Sequence, residues 1–367
     1  MKRVILALSI IFAMLMLFSC GQAPLGQMVK PTKIGNCVGD NLWEMYEYED
    51  KLFFGTGDGN QNTGPTTVWA YDLSTKEFFE SGVLDEEVVN RFLTIDGKLV
   101  APGIDPTQKQ NICNYNYYEN GQWHKDRNIT QTQHCLDIIK YKDHMLYGVD
   151  AEVSYHPVFM STDGGETYER LWFYKDGKRV TKNLSTARVY DFFELNGSLY
   201  AILTTNDSTK RYVESYIYDY EGKKFDFLSD LSDRLSIRPY INFKLFGSKL
   251  IVNDTVYIAT PEGYYTTDMK AFHKIDTGNR VLFDYTTDGE KIYALCSRVY
   301  SDGSCETSVM AKDINSNSGF ENLFYFKSEY YCVSFVKKGS TFYFGTSDVM
   351  SSGAERGAIL TVEWTEK

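Results

Sequence analysis

MYEYEDKLFFGTGD (residues 45–58), FLTIDGKLVAPGID (92–105) and FVKKGSTFYFGTSD (335–348) are copies of one phrase. Each is an apolar-rich strand, a polar turn, and a second strand opening on Leu or an apolar relative. The phrase returns as IIKYKDHMLYGVD (138–150), FFELNGSLYAILTTND (192–207), FKLFGSKLIVND (243–254) and DYTTDGEKIYAL (284–295). The residues that open the second strand are Leu52, Leu99, Leu146, Leu199, Leu250, Ile292 and Phe342, about 48 residues apart on average. No repeat of that size buries its own faces, so the copies must stack on one another.

A second phrase follows each anchor: an apolar strand ending in Asp, a turn, then an aromatic. It reads VWAYDLSTKEF (68–78), VFMSTDGGETY (158–168), YIYDYEGKKF (216–225), YYTTDMKAF (264–272) and VMAKDINSNSGF (309–320), with a degenerate copy YYENGQW at 117–123. Asp72, Asp163, Asp219, Asp268 and Asp313 fall on equivalent positions. Each repeat therefore holds four strands, a to d. With 15% aromatics, 28 Tyr and 23 Phe, the composition suits pleated, half-buried surfaces. The chain reads as all-β: a seven-bladed β-propeller of four-stranded antiparallel blades. After Asp348 only one further strand remains, AILTVEW (358–364), so the last blade lacks its outer strand. The segment around Lys33–Cys37 is placed to supply it, closing the ring and removing an exposed edge.

STDGGETY (161–168) places Ser161, Asp163, Gly165, Thr167 and Tyr168 in the pattern Ser-x-Asp-x-Gly-x-Thr-aromatic. The Asp accepts backbone N–H groups, and Gly164 and Gly165 supply positive φ for a tight hairpin. The pattern resembles the Asp-box of sialidase-like (BNR-type) propellers, which implies a structural turn at the blade periphery. The sialidase catalytic set is not matched. Its Arg motif finds only SIRPY (236–240), out of order, so the resemblance implies no sialidase activity. The signatures of WD40 and kelch repeats are missing.

At the N-terminus, Lys2 and Arg3 precede an apolar run, Val4 to Phe18, of about 15 residues, which suits a signal segment better than a membrane span. Leu17-Phe18-Ser19-Cys20 resembles the lipobox of bacterial lipoproteins. The resemblance implies a signal peptide over 1–19, cleavage before Cys20, and lipidation of that thiol, palmitate included. A tether over 20–32 and a propeller domain over 33–367 would follow. The partner it implies is the membrane, reached through the lipid. The place it implies is the bacterial cell envelope, the outer membrane in a Gram-negative cell.

The formal charge of −11 gives no basic face for nucleic acid. In a propeller the a strands line the channel, and the d–a and b–c loops share one face, the mouth. The starts of the a strands offer Trp43, Arg91, His134, Arg188, Tyr240, Arg280 and Tyr331. The b–c loops open on Asp58, Asp105, Asp150, Asp207 and Asp348, an acidic rim. Arginine forks suit carboxylate or phosphate, and aromatics suit sugar rings or peptides. Alternatively, the arginines pair with nearby Asp and the Asp residues cap turns. His124, His134, His144 and His156 are separated by strands and turns, so no metal site is assigned. Several rim oxygens would suit Ca²⁺, but no DxDxDG loop is present, and no cofactor is expected.

Six cysteines follow Cys20. Cys296 with Cys305, Cys37 with Cys332, and Cys113 with Cys135 are candidate disulfides in an exported protein; buried thiols are the alternative. Two function classes stay open. One is a lipid-anchored, non-catalytic propeller binding a protein or glycan. The other is a polysaccharide-processing enzyme, a uronate lyase or glycosidase. As a lyase it would use Arg188 and Arg280 to neutralise a uronate carboxylate and His134 or Tyr240 as base. No catalytic residue is assigned.

Overall fold

The computed structural model describes residues 26–37, 41–57, 64–108, 112–130, 132–150, 156–181, 186–206, 211–232, 248–260, 262–348 and 356–365. Among these residues there is no α-helix. Seven four-stranded antiparallel blades form the molecule.

In order a to d, blade 1 is Glu44–Tyr48, Lys51–Gly55, Thr66–Asp72 and Phe78–Leu84. Blade 2 is Leu93–Ile95, Lys98–Pro102, Ile112–Glu119 and Gln122–Thr130. Blade 3 is Cys135–Tyr141, His144–Val149, Val158–Ser161 and Glu169–Arg170. Blade 4 is Arg188–Leu195, Ser198–Asn206, Arg211–Asp219 and Lys224–Asp230. Blade 5 is Lys249–Val252, Thr255–Ile258, Tyr264–Thr266 and His273–Lys274. Blade 6 is Val281–Thr287, Lys291–Val299, Cys305–Asp313 and Glu321–Ser328.

Blade 7 carries the closure. Its strands a to c are Tyr331–Lys338, Thr341–Ser347 and Ala358–Glu363, and its outer strand is Thr32–Asn36 from the other end of the chain. Lys33 faces Leu360 and Asn36 faces Ala358 in an antiparallel ladder, extended by Cys37 N–H donating to Gly357 O at 2.7 Å. Gly35 belongs here because a Cβ would sit 2.5 Å from the Phe78 ring of blade 1. Gln27–Met28, within the expected tether, pairs in parallel with the outer strand of blade 6. Blade 4 is widened in the same way by Trp172–Lys175, itself paired with Lys178–Arg179. Both additions cover edges that would otherwise offer unpaired backbone.

Blades splay outward from the axis, so the gaps between them widen and are filled by large rings. Between blades 6 and 7, Phe324, Phe326, Phe342 and Phe344 are fully buried, with Phe324 and Phe342 in edge contact at 5.2 Å. Between blades 3 and 4 the same role falls to Phe173, Phe192, Tyr216 and Phe225.

One anchor is displaced. Leu250 opens no b strand; it lies in strand a of blade 5, and the a–b turn is Asn253-Asp254, both at positive φ. The equivalent residue is Val256, which faces Ile251 as Leu52 faces Glu47. In blade 3 the equivalent position is Met145, one residue before Leu146. SKLIVNDTVYIA and FKLFGSKLIVND each contain strand–turn–strand, and only the contacts with the neighbouring blades separate them.

Candidate functional site

With the registers known, one position recurs in or just before every a strand, three residues before the partner of the anchor. It is Glu44, Arg91, Asp137, Asp191, Ser248, Asp284 and Ser334 in blades 1 to 7. In four blades a bulge immediately precedes it. Such a bulge turns the side chain toward the next blade. Asp137 Oδ2 accepts from Phe192 N–H at 2.7 Å, Ser248 Oγ from Tyr285 N–H at 2.9 Å, and Asp284 Oδ2 from Phe335 N–H at 2.9 Å. Ser334 Oγ donates to Leu42 O at 2.8 Å. Through these four residues the ring stitches blades 3, 5, 6 and 7 to their successors.

On one side of the ring these contacts become ionic. Arg91 reaches across the channel to Asp137 at 3.1 Å and Asp191 at 2.7 Å, and donates to Tyr190 O at 2.9 Å. Lys249 closes the group from blade 5, contacting Asp137 and donating to Phe192 O at 2.7 Å. Both carboxylates are fully buried. For Asp137 burial favours the neutral form, but Lys249 and Arg91 outweigh it and hold its pKa below the usual range. For Asp191 burial wins over Arg91 and Lys249, and its pKa is pushed up to about 6. Below the ring, toward the a–b turns, a cavity of about 600 Å³ opens between Tyr46, Arg91, Lys140, Glu194 and Lys249.

The expected mouth residues do not share one level. Trp43 lies one position before the ring residue of its blade and is buried, its Nε1 donating to Gly57 O at 2.7 Å. It packs with Val88, Ile104, Leu136 and Tyr190 across the inner ends of blades 1 to 4. Arg91 is itself a ring residue. Tyr331 is fully buried against Phe283 at 5.2 Å and contributes nothing to an open surface. Tyr240, Asp58 and Asp207 lie outside the described residues, as does Cys20.

His134, Asp105, Asp150 and Arg188 do come together. His134 is buried, with Nε2 2.7 Å from Asp105 Oδ1 and Nδ1 in contact with Asp150 Oδ2. Burial opposes its charge, but the bonds to Asp105 and Asp150 prevail and raise its pKa to about 9. Asp150 also accepts from Thr132 Oγ at 2.7 Å, and its pKa is lowered, burial notwithstanding, by His134, Thr132 and Arg188. Arg188 Nη1 sits 3.3 Å from Tyr190 Oη. Asp348 stands apart, 3.6 Å from Arg356.

Arg280 belongs to a third group. Its Nε is 3.1 Å from Glu306 Oε1, which also lies 3.1 Å from Arg298 Nε, and Tyr300 donates to Glu306 Oε2 at 2.6 Å. Burial raises the Glu306 pKa, but Tyr300 and the two arginines together bring it below its ordinary value. Arg280 also borders a cavity of about 540 Å³ between blades 5 and 6 on the mouth face.

The histidines do not converge. His144 pairs with Tyr218 at 2.8 Å, His124 stacks on Tyr117, and His156 meets Trp172. Among the described residues no three His, Cys, Asp or Glu side chains form a cluster suited to a metal. STDGGETY folds as a turn. Asp163 Oδ1 accepts from Glu166 N–H at 3.1 Å and Thr167 N–H at 3.0 Å, Gly165 N–H donates to Ser161 Oγ at 2.9 Å, and Tyr168 packs on Tyr147. Asp72 and Asp268 hold their turns in the same way.

All six described cysteines are buried. Cys113 and Cys135 share the layer between blades 2 and 3, but as free thiols, so the expected disulfide is not formed. The other two candidate pairs are not brought together. Val299 faces Cys305, so Cys296 falls opposite Ser308, in the layer toward blade 5, while Cys305 lies in the layer toward blade 7. Cys37 lies between blades 7 and 1, and Cys332 between blades 6 and 7.

The ring residues were readable as a pattern: LWEMY, CLDII, VYDFF, LFDYT and CVSFV place a polar residue between apolar neighbours at one point in five of seven repeats, and VNRFL has its Arg there behind Asn90. Glu306 and Lys249 carry no such signal.

No protein-family model and no curated protein matches the chain. Solved propellers do match in fold. An ulvan lyase of polysaccharide lyase family 25 gives a TM-score of 0.52 at 12% identity, over 90% of this chain and 95% of that one. A chain of a mitotic checkpoint complex gives 0.51 at 8% identity, over 93% and 95%. A puromycin hydrolase gives 0.50 at 8% identity, over 89% of this chain and 53% of that one. These identities establish a shared architecture.

Proposed function

We propose that this chain is a lipid-anchored, non-catalytic β-propeller of the bacterial cell envelope that binds a protein or glycan ligand on its mouth face. The observation that carries the reading is where the basic groups of the mouth and channel spend their charge. Arg91 is held by Asp137 and Asp191, His134 by Asp105 and Asp150, and Arg280 by Glu306. An imidazolium clamped between two carboxylates has no lone pair with which to accept a proton, so His134 is a poor general base at neutral pH. What remains is a rigid face, which binding requires and catalysis does not by itself supply.

The path of the N-terminus supports an outward-facing mouth. Gln27–Met28 runs parallel to the outer strand of blade 6, which rises from the a–b turn side toward the mouth. A lipidated Cys20, seven residues earlier, would reach the membrane from the turn side, within about 25 Å of that edge.

The second reading, a polysaccharide-processing enzyme, draws on the fold likeness to an ulvan lyase and would need His134 released from its clamp. Incubating the mature protein with a panel of uronate polymers, following absorbance of the unsaturated product, separates the two. The expected result is no product, together with ligand capture on a glycan array or in a pull-down. Product formation abolished by His134→Ala would overturn the proposal.

A further inference from the structure

The cavity between blades 5 and 6 holds an arginine whose hydrogen-bonding capacity is only partly used. Arg280 is 4% exposed. Its Nε donates to Glu306 and its Nη1 to Thr277 O at 3.0 Å. Its Nη2 makes no hydrogen bond with any described residue, and the side chain lines the cavity of about 540 Å³. A buried guanidinium, Arg280, and a half-buried one, Arg298, share the single carboxylate of Glu306. The group therefore carries an excess positive charge beside an open volume. The Nη2 edge is open to the cavity, and a carboxylate is the natural partner of a guanidinium edge.

The rest of the lining narrows the ligand. Glu262 and Asp276 are acceptors and the Asn279 side chain is both donor and acceptor, while the apolar lining is confined to Ile275 and Val281. Lys274 neutralises Glu262 at 3.0 Å. Several acceptors, an apolar flank and one buried cation suit a compact ligand with several hydroxyls, an apolar ring face and one carboxylate. A peptide terminus would instead need apolar room for its side chains.

We propose that this cavity is a binding site for an acidic sugar residue, its carboxylate seated on Arg280 Nη2 and its hydroxyls on Glu262, Asp276 and Asn279. The site rests on the reading of the chain as a ligand-binding propeller and gives that reading a ligand class and a location.

The test is isothermal titration calorimetry on the mature chain with glucuronate and galacturonate disaccharides, their methyl esters, and lactose as the neutral control. The expected result is saturable binding of an acid form, weakened at least tenfold by esterification. Asn279→Gly, an exposed change at a position whose φ of 65° glycine adopts freely, should weaken binding severalfold and leave the melting temperature nearly unchanged. Arg280→Gln should abolish binding, and circular dichroism shows whether that variant folds. Equal affinity for acid and ester, or binding indifferent to Asn279→Gly and Arg280→Gln, overturns the site. Absence of any binding by the wild type overturns it too. Capture of another ligand on the array, untouched by Arg280→Gln, would leave the broader reading standing while this site falls.

Discussion

The two sides of the ring are joined by different chemistry. Blades 2 to 5 are clasped by a buried and a half-buried cation, Arg91 and Lys249, against two buried carboxylates, Asp137 and Asp191. Blades 5, 6, 7 and 1 are joined through single side chains bonded to the next blade's backbone, at Ser248, Asp284 and Ser334. This second side also contains the seam where the two ends of the chain meet. Burying ion pairs costs desolvation that their attraction roughly repays, so the clasp adds little net stability while intact. Losing one member strands the others. The backbone bonds are cheaper to make and to lose. The ionic side should therefore be the more fragile to point substitution, and the seam the more fragile to truncation.

Truncation should give the largest effect. A chain beginning at residue 38 lacks Thr32–Asn36 and leaves the edge of blade 7 bare, with the ring unclosed. It should lose its cooperative thermal transition and aggregate. A chain beginning at residue 30 lacks only Gln27–Met28 and should melt within a few degrees of the full domain. Similar melting of both in differential scanning calorimetry would show that the seam is dispensable.

Next comes Asp137→Ala, which leaves Arg91 and Lys249 facing the single carboxylate of Asp191. Breaking a buried pair in this way costs about 3–5 kcal/mol, to be read from the urea midpoint at constant slope. A loss under about 1 kcal/mol would mean that water already reaches the clasp.

The His134 clamp lies on the same side and is separable by pH. Its folded pKa is raised to about 9. Its contribution is therefore complete below the unfolded value near 6.5 and disappears as pH rises through 9. Over that window the wild type should lose about 2–3 kcal/mol that His134→Gln does not lose. The partner carboxylate Asp150, with its pKa lowered, contributes above about pH 4 and loses its share in acid. Parallel stability curves for the two proteins from pH 6 to 9.5 would contradict the clamp.

Why the sequence showed some of this and hid the rest follows from particular residues. The blades were legible because apolar alternation and turn chemistry are local: Asp96-Gly97 and Asn196-Gly197 mark a–b turns wherever they stand. The closure was legible because a strand was missing from the last repeat. Blade 5 misled because two turns compete in FGSKLIVNDTVY, and the choice depends on Val256 finding its layer against blade 4. The mouth misled because a bulge shifts the a strand by one residue in blades 3, 4, 6 and 7 and not in the others. The first charged residue of a strand is therefore at no fixed depth, and Arg91 fell to the ring while His134 stayed near the rim. Glu306 was hidden because what defines it is two arginines from other strands.

The smallest effect probes the stitching itself. Ser248 and Ser334 occupy the same position in blades 5 and 7 but face opposite partners. Ser248 Oγ accepts from Tyr285 N–H, which also donates to Asp284 Oδ1 at 2.8 Å, so the amide keeps a partner if the hydroxyl goes. Ser334 Oγ donates to Leu42 O across the seam, in a spot so close that a Cβ on Gly345 would lie 2.5 Å from it. Ser248→Ala should therefore cost a few tenths of a kcal/mol, and Ser334→Ala about 1 kcal/mol. The same urea titration resolves them. Equal costs would show that the ring position acts alike in every blade, and that the contrast between clasp and seam stops at the charged residues.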